Sequence, residues 1–220
     1  MRNVKVVCEP EAFNQNTKEL LSQLAKEAQA TSKLYAVGEV KLGESKKLYG
    51  LTQCTMDLSS YKCKNCLDVI IGELPRCCDG KEGGNELRKR CPKQKGAIIL
   101  YDSCLLKYSS VDFFVKVDRE NKLYMFNVCE ADNPKAFNRK IKELLSRLSG
   151  KAASGGSSSK MYATGELELE APRKIYGLVQ CTRGLSGSDC KKCLDVAKRK
   201  LPICCDGKRS ERVLGGTWKL

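Results

Sequence analysis

Histidine is absent from the 220 residues of this chain. The commonest general base of enzyme sites is therefore missing, and so is the residue that often completes a cysteine zinc site. Long apolar runs are missing too. The longest, Ala97–Tyr101 and Val111 with Phe113–Val115, are strand-sized, far short of the roughly 20 residues of a membrane span. No transmembrane segment is expected. The opening MRNVKVVC lacks the apolar core of about 7–15 residues that a secretory signal needs. The expectation is that a signal has been removed, or that the chain is a fragment of a longer precursor.

Cysteine, by contrast, is abundant, with 14 residues. Cys54–Cys66 reads CTMDLSSYKCKNC, and the same cysteine frame returns at Cys181–Cys193 as CTRGLSGSDCKKC. So many cysteines in regular frames imply disulfides or metal. Each copy has a single Cys-x-x-Cys and no histidine, so disulfides are favoured over zinc, and no metal or cofactor is expected. Disulfides place the chain in an oxidising, extracellular compartment.

The formal net charge is +14. Up to Val115 there are 18 basic and 14 acidic residues, a net +4; beyond it there are 22 and 12, a net +10. A basic secreted chain favours anionic cell-wall polymers, microbial surfaces or phospholipid headgroups, although charge runs are commonly solvated faces. Nucleic acid is not an expected partner. The basic stretches Arg88–Lys95, Lys191-Lys192 and Lys198–Lys200 carry no stacking aromatics.

Two copies of one element order can be read along the chain. Val4–Cys8 reads as a strand and Glu9–Phe13 as a connection. A helix over about Asn14–Lys26 aligns Phe13, Leu20, Leu21 and Leu24. Its counterpart aligns Phe137, Ile141, Leu144, Leu145 and Leu148. Polar loops follow, Gln29–Ser32 and the low-complexity Ala152–Ser159. Strands are expected at Leu34–Val40 and Lys47–Cys54, and again at Met161–Leu167 and Lys174–Cys181. A second helix starts near Ser59 or Ser60. Cys63, Cys66, Leu67, Ile70, Ile71 and Leu74 form one apolar stripe on it. Both helical cysteines are thus expected on the buried face, as structural rather than redox residues. In the second copy Lys198 replaces Ile71 in this stripe, so that helix should pack less fully. Pro75 and Pro202 are expected to close these helices. Strands at Gly96–Tyr101 and Ser103–Tyr108 complete the first copy. The second shows only RVLGGTWKL, which reads as a last strand cut or missing.

The frame CTxxLSxxxCxxCL, the double cysteine after Leu-Pro, and YDSCLLKYS resemble the ginkbilobin-like, stress-antifungal domain of plants. That domain occurs in tandem in cysteine-rich receptor-like kinases, plasmodesmata-located proteins and cysteine-rich repeat secretory proteins. The resemblance implies an α+β fold of two tandem units, each with two helices on a five-stranded antiparallel sheet, disulfide-stapled, the second unit incomplete at its C-terminus. The boundaries are 1–112 for repeat 1, 113–120 for a linker and 121–220 for repeat 2, with its last strand missing. The family's disulfide pattern implies Cys8–Cys78, Cys54–Cys63 and Cys66–Cys104, leaving Cys77 and Cys91 to pair. In repeat 2 it implies Cys129–Cys205 and Cys181–Cys190. The final cysteine falls at Trp218, so Cys193 and Cys204 are expected to be unpaired thiols or to bridge each other. The second unit should then be the less stable.

In ginkbilobin a mannose site is ascribed to an Asn, an Arg and a Glu. The matching positions in repeat 1, Glu9, Ile98 and Ser109, keep none of these types. In repeat 2, Glu130 and Arg212 are the carbohydrate-binding candidates, and only Arg212 keeps its type. The repeated Asp68 and Asp195 read as helix-surface charges rather than a converging acid pair. Cys193 and Cys204 lack a base to activate them. The glycines of DGKEGG and DGKRSE follow helix ends as turns and form no phosphate loop. No catalytic residue is therefore assigned. Two functions remain as expectations. One is a secreted, apoplastic defence protein that binds cell-wall or microbial glycans, with an antifungal role. The other is an extracellular module that recognises a protein. Contact with an anionic surface is a further expectation.

Overall fold

The computed structural model describes residues 10–43, 46–78, 96–154, 161–169 and 172–220. The chain divides into two compact units, with the boundary between Phe113 and Phe114. Unit 1 contains α1 (Pro10–Ala30), β1 (Tyr35–Leu42), β2 (Lys46–Cys54), α2 (Ser60–Cys78), β3 (Gly96–Leu100) and β4 (Cys104–Ser109). Unit 2 contains β5 (Lys122–Phe126), α3 (Pro134–Ala153), β6 (Tyr162–Glu168), β7 (Lys174–Cys181), α4 (Gly187–Cys204), β8 (Glu211–Gly215) and β9 (Trp218–Lys219).

Each unit is a layer of two helices on an antiparallel sheet, the α+β architecture expected. The described strands of unit 1 run in the order β1-β2-β4-β3, and those of unit 2 in the order β5-β8-β9-β7-β6. The strand expected at Val4–Cys8 lies outside the described residues. The strand expected to be missing from repeat 2 is a two-residue stub, β9, in the place of the six-residue β4.

The same physical devices build both units. Helix α1 turns Leu20, Leu21 and Leu24 onto the sheet, and α3 does so with Leu144, Leu145 and Leu148, all buried. The helices cross where two glycines face each other across a strand pair, Gly38↔Gly50 and Gly165↔Gly177. A Cβ on Gly50 would stand 2.8 Å from Leu24 Cδ1, and one on Gly177 3.0 Å from Leu144 Cδ2. The glycines therefore let the helix approach closely enough to bury its leucines. Leu34 and Met161 both take left-handed backbone, φ 48° and 45°. Such a conformation costs a non-glycine residue on the order of 1 kcal/mol. Both side chains are buried, and their carbonyls accept from the amides of Cys54 and Cys181 at 2.9 and 2.8 Å.

Three expectations about the helices need correction. Helix α1 begins at Pro10 rather than near Asn14, because a proline at a helix start forfeits no hydrogen bond. Ala152 and Ala153 belong to α3 rather than to the loop after it. Pro75 and Pro202 lie inside α2 and α4, three and two residues before their ends. Proline removes its own N–H from the ladder but leaves the last turn able to close. The Cys205 amide still donates to the Leu201 carbonyl at 2.9 Å.

Candidate functional site

Disulfides fix the geometry on which any site is built. In unit 1, Cys54 at the end of β2 and Cys104 at the start of β4 are register partners. Both are bonded to the first turns of α2, as Cys54–Cys63 and Cys66–Cys104. In unit 2, Cys181–Cys190 repeats the first of these bonds. Trp218 pairs in register with Cys181, as Cys104 does with Cys54. Its indole lies where a side chain on Gly215 would stand. Cys193 is left as a buried thiol. Burial, with the charge of Asp189 adding to it, pushes that thiol above its ordinary pKa, which makes it a poor nucleophile at neutral pH.

The expected partnership of Cys129 with Cys205 is not the one found. Cys205 is bonded to Cys204, so Cys204 is not a free thiol either. Cys129 is exposed and unpaired. Its carbonyl accepts from the Arg209 amide, so the extension of β5 holds it opposite Arg209, while Cys204 is Cys205's neighbour in the chain. The side chains of Cys8, Cys77, Cys78 and Cys91 lie outside the described residues, and with them the bridges Cys8–Cys78 and Cys77–Cys91.

The two carbohydrate-binding candidates stand on one ladder but do not converge. Glu130 forms an isolated bridge with Lys208 and is exposed, its carboxylate 3.2 Å from Lys208 Nζ. Arg212 is opposite Met125 on β8 and exposed. Four residues separate Lys208 from Arg212, about 13 Å along a strand. In unit 1, Glu9 lies outside the described residues, while Ile98 is on β3 and Ser109 ends β4.

A polar cluster that local sequence patterns did not show surrounds Glu130. Asp132 receives hydrogen bonds from Arg173 and Arg209. The hydrogen bond from Arg173 and the charge of Arg209 hold its carboxyl below the usual range. The Asn138 amide donates to Asp206 at 2.5 Å and accepts from the Gly207 amide at 3.2 Å. This ties α3 to a turn in which Gly207 has φ 70°. Beside it, Glu211 is half-buried, and burial, with the nearby charge of Asp206, pushes its pKa up to about 7. The only sequence signals for this cluster were the repeated Phe-Asn and Asp-Gly-Lys pairs. The cluster is a set of ion pairs and a helix-to-turn tie.

Elsewhere, Asp68 pairs with Lys64, and Asp195 pairs with Lys191 and Lys198. Among the described residues no group of three or more acidic or cysteine side chains could hold a metal, and no helix is long and apolar enough to cross a membrane.

Comparison with known proteins assigns the scaffold. The family described as salt stress response/antifungal matches residues 3–111 and again 126–217. The antimicrobial ginkbilobin-2-like protein of Castanea crenata is 54% identical over 168 residues, which is 76% of this chain and 63% of that protein. Cysteine-rich repeat secretory protein 38 of Arabidopsis thaliana is 40% identical over 205 residues, 93% of this chain and 74% of its own length. The fold matches the tandem DUF26 ectodomain of the Arabidopsis thaliana cysteine-rich receptor-like protein PDLP8, with a TM-score of 0.74 at 23% identity, covering 100% of this chain and 92% of that one. This chain therefore spans less than two thirds of the chestnut relative's length, and two copies of one domain account for nearly all of it: it belongs to the salt stress response/antifungal (DUF26) family as a tandem pair.

Proposed function

We propose that this chain is a secreted, apoplastic, non-enzymatic defence protein of plants that binds cell-wall or microbial glycans and restrains fungal growth. The observation that carries this reading is the 54% identity to a relative named as antimicrobial. The chemistry is compatible with it. The chain has no histidine, the carboxylates Asp68, Asp195 and Asp132 pair with lysines and arginines, and its buried thiol is pushed towards the protonated form. A glycan array with the purified chain, beside a hyphal growth assay, tests it. Selective retention on mannan, reduced at least about tenfold by Arg212→Ala, would place the ligand at the sugar position retained in repeat 2. Silence across neutral and charged glycans would sink the reading.

A second reading is recognition of an extracellular protein. It is favoured by the commitment of Glu130 to Lys208 at 3.2 Å and by the distance of Arg212 from that pair. Glu130 and Arg212 do not converge on one polar pocket, and a flat protein surface is the better fit. Capture of a defined extracellular partner, unaffected by Arg212→Ala, would support this reading over the first.

A further inference from the structure

The two repeats keep the same core and differ in the charge of their helix layer. Helix α1 carries two basic and three acidic residues, and α2 three basic and two acidic. The helix layer of unit 1 is therefore neutral. Helix α3 carries six basic residues and one acidic, and α4 five basic and two acidic. The helix layer of unit 2 is therefore +8, more than half of the +14 of the whole chain.

The excess arises at aligned surface positions, while the buried Leu-Leu pair and the Phe-Asn pair are unchanged. Glu11, Gln15, Asn16 and Glu27 of α1 correspond to Lys135, Arg139, Lys140 and Lys151 of α3. Lys140 is partly exposed and the other three basic residues fully so. With Lys142 they make no ion pair among the described residues. Lys135, Arg139, Lys142 and Ser146 share one stripe at helical spacing. That stripe borders α4, where Lys198 reaches Ser146 Oγ at 3.5 Å. Exposed Arg199 and Lys200 likewise make no ion pair among the described residues.

We propose that the helix layer of unit 2 is a binding face for an acidic polysaccharide, a linear polymer with a carboxylate on successive sugars. The inference rests on the glycan reading above for its compartment and ligand class, and on the charge asymmetry between the repeats for its location. Fixed cations spaced along α3 over about 10 Å, from Lys135 to Lys142, suit a polymer with regularly repeated negative charge. The apolar residues Phe137, Leu144, Leu145 and Leu148 face inward. The helix therefore offers no apolar face for insertion into a lipid interface. It also offers no exposed aromatic on which a nucleic-acid base could stack.

The test measures binding of the full chain to polygalacturonate, to the same polymer fully methyl-esterified, to neutral mannan and to vesicles containing phosphatidylserine, at 50 and 200 mM salt. The comparison variant gives α3 the residues of α1: Lys135→Glu, Arg139→Gln, Lys140→Asn and Lys151→Glu. Its melting temperature serves as the folding control. Expected are binding to polygalacturonate that weakens with salt, at least about tenfold weaker binding by the folded variant, and no binding to the esterified polymer. Equal binding by the variant, equal binding to the esterified polymer, or no binding to polygalacturonate would overturn the proposal. Tighter binding to the vesicles would also overturn it, by assigning the face to lipid. Mannan binding that persists after any of these failures would leave the broader glycan reading standing.

Discussion

Glu211 shows how one side chain makes stability depend on pH. It sits on β8, half-buried and close to Asp206, and its folded pKa is pushed up to about 7, against an ordinary glutamate value of 4.5. Between these values the folded state holds a proton that the unfolded state has released. Stability from this residue is therefore full below about pH 4.5, declines as pH rises, and is lost once pH passes about 7. Solvent screening at a half-exposed site leaves about 1 kcal/mol of that effect. Glu211→Gln should remove the decline. Denaturant unfolding at pH 5 and pH 8 would show the variant matching the parent at pH 5 and exceeding it by about 1 kcal/mol at pH 8. Equal differences at both pH values would mean that Glu211 does not titrate in this window.

At the scale of elements, the junction of α4 with β9 decides what repeat 2 has lost. Cys66 and Cys104 are bonded with Cα atoms 6.2 Å apart. In unit 2 Trp218 holds the register position of Cys104, and Cys193 is the third cysteine of the repeated frame, as Cys66 is in unit 1. Trp218→Cys should therefore re-form the bridge from α4 to the sheet. Removing a buried tryptophan costs about 3–5 kcal/mol, and a bridge closing that loop contributes about 3 kcal/mol. The oxidised variant should thus fall within about 2 kcal/mol of the parent, and reduction should expose the full loss. Alkylation mapped by mass spectrometry should find Cys193 protected in the variant and modifiable in the unfolded parent. A Cys193 that remains modifiable in the oxidised, unfolded variant would contradict the register argument.

The same junction shows what the sequence could and could not tell. The stripe from Cys63 to Leu74 placed α2 and its buried face, because helical spacing is a local property. The glycine of the repeated YGL, by contrast, gave no hint that a helix presses on it. Trp218 concealed β9, since the cysteine that anchors this strand in the first repeat is gone. The Cys204–Cys205 pairing was also hidden, because family spacing assigns partners without seeing which sulfurs the backbone brings together. Asn138, Asp206 and Glu211 join through contacts some 70 residues apart in the chain, beyond the reach of any local pattern. Lys198 was legible as a breach of the apolar stripe, but its outlet was not: the ammonium turns to Asp195 at 2.8 Å and to Ser146.

At the scale of the molecule, two copies of one fold differ in how firmly they are held. Among the described residues, unit 1 has a second bridge from helix to sheet, closing a loop of 38 residues and contributing about 4 kcal/mol. Unit 2 has a tryptophan at the position of Cys104. Its helix layer also places a charge of +8 on neighbouring helices, and this self-repulsion is absent from unit 1. Both differences act in the same direction, so unit 2 should open first. Amide hydrogen exchange offers a like-for-like comparison, because β1–β2 and β6–β7 pair in matching registers, Tyr35↔Gln53 and Tyr162↔Gln180. In low salt the β6–β7 amides should exchange with an opening free energy lower by several kcal/mol. At 0.5 M salt the gap should narrow but persist, because screening removes the repulsion and leaves the missing bridge. Equal protection of the two strand pairs would mean that Trp218 and the packed indole replace the disulfide in full. A gap that closes completely in salt would assign the difference to charge alone.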